Sequence, residues 1–162
     1  MKGYDLSMLK NILKYLSLAG VITVVGLGTL FFIQYLQYRN SPEYQTKKFL
    51  EEWEKAYRED MYGGDTPEET LQLFIDALKK GDTDIAAKYF IIDEQEKWKT
   101  RLSETKDKNL LSNLIAKIEM VKITKKTDEE AYFSLIDKDN IAVSEIIIAK
   151  NPYSKKWKIY EM

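Results

Sequence analysis

Residues 108–149 read KNLLSNLIAKIEMVKITKKTDEEAYFSLIDKDNIAVSEIIIA, and the apolar period changes inside this stretch. Up to Lys117, the residues Leu110, Leu111, Leu114 and Ile115 recur at the three-to-four spacing of a helix face. From Ile118 onward the spacing shortens toward two, and β-branched residues become dense. EMVKITKK (119–126), AYFSLID (131–137) and IAVSEIIIA (141–149) read as three strands, and KWKIYEM (156–162) as a fourth. The turns fall at Thr127-Asp128-Glu129, Asp137-Lys138-Asp139-Asn140 and Asn151-Pro152-Tyr153-Ser154. Connections this short predict an antiparallel meander. The expected core is Phe133, Leu135, Ile146, Ile148, Trp157 and Ile159, with Ser144 facing inward beside Ile146.

Upstream the period is helical throughout. In DTPEET (65–70), Thr66 is an N-cap, Pro67 occupies the first turn and Glu69 completes a capping box. Leu71, Phe74, Ile75 and Leu78 form that helix's apolar face, and Gly81 ends it. Asp82 opens a short helix through Ile85, Ala86, Tyr89 and Phe90. A third helix is expected over 93–102, with Trp98 and Leu102 inward, and a fourth over 108–117. Helices first and strands after predict an α+β domain, helices on a four-stranded antiparallel sheet, over 65–162.

Before it lies a charged helix, 43–61, entered through Ser41-Pro42. Leu50, Trp53, Tyr57 and Met61 line one face. Two readings of this stripe stay open. It packs on the downstream domain, or it serves as an interface with another subunit or the membrane surface. Gly63-Gly64 is expected to end the helix and act as a hinge, which makes 39–64 a juxtamembrane stalk.

Between Lys14 and Arg39 there is no charge over 24 residues, and Leu16–Leu36 contributes 12 Leu, Ile, Val or Phe. As a helix, 24 residues extend about 36 Å, against a hydrocarbon core of roughly 30 Å. Residues 15–38 therefore predict a transmembrane helix, with Tyr15, Tyr35 and Tyr38 at its interfaces. The apolar run continues through Leu30–Ile33, past its small residues, which favours a retained signal anchor over a cleaved signal. Basic residues are balanced across the span, three on each side. The short 1–14 tail, with no second span to hold it outside, sets the expected topology: a single-pass protein of the cytoplasmic membrane, N-terminus cytoplasmic, C-terminal domain outside.

The chain has 162 residues, 25 Lys+Arg and 26 Asp+Glu, no His and no Cys. Charge balance gives no pull toward nucleic acid. The missing residue types exclude Ser-His-Asp triads, Cys nucleophiles, Cys/His zinc sites, disulfides and His- or Cys-ligated haem. No cofactor and no metal site is expected.

The stretch TPEETLQLFIDALKKGDTDIAAKYF (66–90), followed by further helix and four strands, resembles the nuclear-transport-factor-two-like (cystatin-like cone) superfamily, and in particular its small membrane-anchored bacterial members. The resemblance is carried by Pro67, Glu68, Glu69, Lys80, Gly81, Asp82, Tyr89 and Phe90, and covers the 65–162 domain only. It implies a curved sheet wrapped around a helix, an apolar pocket, and use as a docking module or as an enzyme.

Without His, acid–base chemistry would fall to carboxylates, Lys and Tyr. Glu145 is a candidate base if it faces the cone; the strand pattern instead predicts it toward solvent. Asp93, Glu94 and Glu96 lack calcium-loop spacing and read as helix caps. Asp137, Asp139 and Asn140 read as a turn. Tyr89, Trp98, Tyr132, Trp157 and Tyr160 are pocket candidates beside Glu145. Lys122, Lys125 and Lys126, with Lys155, Lys156 and Lys158 on strand four, make a basic end and read as solvated guards of strand edges. The expectation is a non-enzymatic, membrane-anchored extracytoplasmic interaction or scaffold module, with the lipid bilayer and a protein partner or second copy as its contacts. The alternative is a tethered small-ligand-binding or carboxylate-dependent enzymatic cone.

Overall fold

The computed structural model describes residues 6–137 and 141–162. Of the features above, Lys2, Asp5, Lys138, Asp139 and Asn140 lie outside the described residues. The chain divides into two compact units, with the boundary between Glu51 and Glu52.

The first unit holds α1 (Leu6–Arg39) and the opening of α2 (Pro42–Glu59). The helix starts inside the expected 1–14 tail, because Leu, Met and Lys there favour continuing the ladder. The most apolar 18-residue window within Lys14–Arg39 has a mean hydropathy of 2.3, and the helix is long and apolar enough to cross a membrane. Its threonine hydroxyls do not stand free: Thr23 Oγ1 donates to the Gly20 carbonyl at 2.9 Å and Thr29 Oγ1 to Gly26 at 2.8 Å. Ser41 closes the junction with α2 from both sides. Its Oγ donates to the Tyr38 carbonyl at 2.7 Å and accepts the Tyr44 N–H at 3.3 Å. Orphan groups at the end of one helix and the start of the next are thereby satisfied.

The second unit is α+β. It contains α3 (Pro67–Lys79), α4 (Thr83–Ala87), α5 (Ile92–Asp107), α6 (Leu111–Glu119), then β1 (Lys122–Lys126), β2 (Glu130–Ile136), β3 (Ala142–Lys150) and β4 (Trp157–Glu161). The sheet is an antiparallel meander in the order β1-β2-β3-β4. Each pairing shifts register once, at Ile123/Lys125, Leu135/Ile136 and Ile147/Ile148, and such bulges curve a sheet.

Capping decides where the helices stop. Thr66 Oγ1 accepts the Glu69 N–H at 3.1 Å, while Glu69 reaches back to the Asp65 N–H at 2.6 Å, one residue earlier than a standard capping box. At the other end of α3, Gly81 (φ 68°) forms a Schellman turn: Asp82 N–H bonds Ala77 O and Gly81 N–H bonds Leu78 O. Asn109 (φ 57°) does the same for α5, with Leu110 N–H on Thr105 O and Asn109 N–H on Lys106 O. Asn tolerates this left-handed position. That turn corrects the expected helix bounds of 93–102 and 108–117. It also moves the helical stretch C-terminally, so β1 begins at Lys122 rather than at Glu119.

Phe133, Ile146, Ile148, Trp157 and Ile159 are buried against Leu71, Phe74, Ile75 and Leu78 of α3. Phe90 meets Phe74 edge-on at 5.4 Å and stacks on Trp98 at 4.4 Å, filling the space between sheet and helices. Leu135 is only half-buried and Ser144 is exposed, correcting two expected inward positions. Both lie where the sheet runs beyond the helices that cover the rest of it. The far edge of β4 is covered: Ile91 N–H bonds Ile159 O at 3.0 Å and Ile159 N–H bonds Tyr89 O at 2.8 Å. β1 leaves its outer edge to solvent, with all five residues exposed. Its lysines oppose strand addition.

Candidate functional site

The outer side of β4 is covered by the end of α2. Tyr57 is buried there, and its hydroxyl donates to Asp93 Oδ2 at 2.9 Å. Trp53 Nε1 donates to Asp93 Oδ1 at 3.3 Å and its ring lies 4.2 Å from that of Tyr57. Both Asp93 oxygens thus serve α2, and no side chain caps α5, which corrects the expectation that Asp93 is a helix cap. Burial pushes the Tyr57 phenol above its ordinary pKa, and the hydrogen bond to the Asp93 carboxylate adds to this. The Tyr57 carbonyl, one of the last four of α2, accepts Asn151 Nδ2 at 2.8 Å.

Just beyond α2 sits a buried polar hub. Lys158 points outward from β4 yet is 1 % exposed. Its Nζ lies 2.6 Å from Asp60 Oδ2 and 2.6 Å from the Lys88 carbonyl. Gln95 Nε2 donates to Asp60 at 3.2 Å and to the Phe90 carbonyl at 3.1 Å. Burial lowers the Lys158 pKa, and the Asp60 carboxylate opposes that shift. Every donor here points at an acceptor within the fold, so the hub is a fastening.

The glycines that follow are packing positions. A Cβ on Gly63 (φ 115°) would lie 2.2 Å from the Trp157 carbonyl oxygen, and one on Gly64 would lie 2.8 Å from the Thr70 nitrogen. Gly64 accepts from Trp157 N–H at 3.0 Å and donates to Thr70 Oγ1 at 2.9 Å. Close approach to β4 requires Gly63, and close approach to the start of α3 requires Gly64.

Among the clefts that open on this unit, two reach about 510 Å³ or more. One, of about 620 Å³, is lined by Tyr57, Trp98, Tyr160, Asp93, Arg101 and Glu161, among others. Arg101 lies over the Trp98 ring at 5.1 Å. The second, about 510 Å³, is an apolar groove between α6 and the β2–β3 hairpin, lined by Leu114, Ile118, Val121, Leu135, Val143 and Ile146, with Lys117 at its rim.

Of the pocket candidates, Trp98 and Tyr160 meet at the first cleft, joined by the stalk residue Tyr57. Tyr89 packs against Tyr62 at 6.3 Å. Trp157 is core, and Lys150 lies over its ring at 5.6 Å. Tyr132 donates to Glu130 at 2.7 Å. Glu145 is exposed and accepts Ser134 Oγ at 3.4 Å. The stalk stripe divides: Tyr57 is buried and Trp53 half-buried, while Leu50 and Met61 are exposed. Asp60 and Gln95 carried no signal in the sequence, and Asn151 only that of a turn; Lys158, expected at a solvated strand edge, is buried instead, because Asp60 arrives from a distant segment to meet it. Among the described residues, no cluster of three carboxylates could hold a metal ion.

No family model, curated protein or solved structure matches this chain.

Proposed function

We propose that the protein is a membrane-anchored extracytoplasmic interaction module, possessing a single span near its N-terminus and an outward-facing α+β domain, and that it serves as a scaffold subunit of an envelope assembly. The observation that carries this reading is the filled interior. Phe74, Phe90, Trp98, Phe133, Ile146, Ile148 and Ile159 occupy the space where a cone-type enzyme would hold substrate. Function then falls to surfaces, and the apolar helix Lys14–Arg39 would raise the domain's effective concentration toward membrane neighbours. The exposed stalk residues Leu50 and Met61 and the outer sheet residue Tyr132 are the contact points on this reading. The likeness to the cone superfamily at residues 66–90 is consistent with a docking role and stays a proposal.

Since the chain has no Cys, single-Cys variants test the topology cleanly. Lys155→Cys should react with a membrane-impermeant maleimide in intact cells, and labelling only after lysis would refute the orientation. Photo-crosslinkers at Leu50, Met61 and Tyr132 should each give discrete adducts with a second copy or another membrane protein. Absence of adducts from all three would remove the scaffold reading.

A second reading, a tethered small-ligand domain, is favoured by the open apolar groove beside α6. The carboxylate-enzyme version has less support, since Glu145 stands in solvent.

A further inference from the structure

We infer that the groove between α6 and the β2–β3 hairpin binds one straight-chain carboxylate, a fatty-acyl anion, whose headgroup is held by Lys117. The inference rests on the small-ligand reading and names the ligand class. The groove volume of about 510 Å³ lies within the range of single-ligand pockets, about 300–1,000 Å³. Its walls are mostly apolar: Leu114 and Ile118 from α6, Val121 beyond it, Leu135, Val143 and Ile146 from the sheet, and Met162, with the Ser144 hydroxyl as a polar spot.

Among the described residues, Lys117 is the one ionisable side chain in this lining. It is exposed and has no carboxylate partner among the described residues. The nearby acid Glu119 is already held by Lys79 at 2.6 Å. The fold leaves Val143 58 % exposed and Leu135 half-buried, so apolar wall remains to be covered. A mostly apolar trench with one uncompensated cation at its rim complements an aliphatic tail with one negative end. A neutral tail would leave the ammonium unused, and a cationic one would be repelled. A carboxylate supplies acceptor oxygens for charge-assisted hydrogen bonds from Nζ, while the tail displaces water from the walls.

The test uses the full chain, methyl-labelled, at one chain per zwitterionic nanodisc and about pH 8, where a carboxylic acid is ionised. Decanoate should shift the Leu114, Val143 and Ile146 methyl signals saturably, about ten-fold more tightly than decanol. Lys117→Gln should bring the two ligands to equal affinity. Val143→Asp, at an exposed wall position, should weaken decanoate binding about ten-fold while leaving the remaining spectrum unchanged. Equal affinity of decanoate and decanol for the unaltered chain would overturn the carboxylate assignment and leave the small-ligand reading standing. No saturable shift with either ligand would remove both. Shifts that follow the number of chains per disc, and not the ligand, would assign the groove to a second copy and overturn the inference.

Discussion

The two sides of β4 are buried by different means. Inward, Trp157 and Ile159 meet the apolar face of α3, and close packing with Phe74 and Phe90 holds them. Outward, Lys158 is buried just as completely, but under Asp60, Gln95 and the Lys88 carbonyl. The first contact needs only hydrophobicity and approximate shape. The second needs every partner in place, because a buried charge left alone costs several kcal/mol. One strand therefore carries a side that tolerates repacking and a side that does not tolerate loss of a single atom group.

The contrast can be broken first on the inward side. Phe74→Ala, at a fully buried site, should lower unfolding stability by about 3–5 kcal/mol in a denaturant titration. A loss below about 1 kcal/mol would mean the two sides do not differ as described. On the outward side, Asp60→Ala and Lys158→Met should each cost about 3 kcal/mol by stranding the other charge, whereas the double variant Asp60→Leu with Lys158→Met should be near neutral or stabilising. A double variant that loses as much as either single one would show that the pair contributes net attraction and is more than a matched fastening.

Tyr57→Phe sharpens the comparison at smaller scale. Removing the hydroxyl that donates to Asp93 should cost about 1 kcal/mol in thermal unfolding near neutral pH. Because the folded Tyr57 pKa is raised above its unfolded value, this contribution is fully present below the phenol's ordinary pKa of about 10. It is lost as pH rises from there toward the folded value. The gap in Tm between the parent chain and Tyr57→Phe should therefore shrink above about pH 10; a gap that widens would contradict the burial of this phenol. The smallest effect is expected at the surface. Lys79→Ala breaks the 2.6 Å pair with Glu119, yet both side chains are about half exposed and solvent-screened, so the denaturant midpoint should stay where it is within error.

Much of the fold could be read locally. Thr66, Pro67 and Glu69 announce the start of α3, and Gly81 its end, because caps are contacts between residues a few positions apart. The change of period near Ile118 announces the sheet, and the short turns its order. Asn109 was missed as a helix terminator because Asn takes up the left-handed position less often than Gly, so its identity alone gives a weaker stop signal. The candidate sites were less legible. Trp98 and Tyr160 could be nominated as aromatics, but their meeting with Tyr57 and Arg101 joins segments far apart in the chain.

By itself the sequence determined an apolar helix long enough for a bilayer, a helices-then-strands order, and the inward stripe of the sheet. These follow from composition and period, which are local properties. Only the tertiary structure decided that Lys158 is buried, that Gly63 lies against β4 and Gly64 against the start of α3, that Asp93 serves α2, and that a mostly apolar groove stays open beside Lys117. Each of these depends on which distant segment arrives opposite a residue, and no periodicity encodes that.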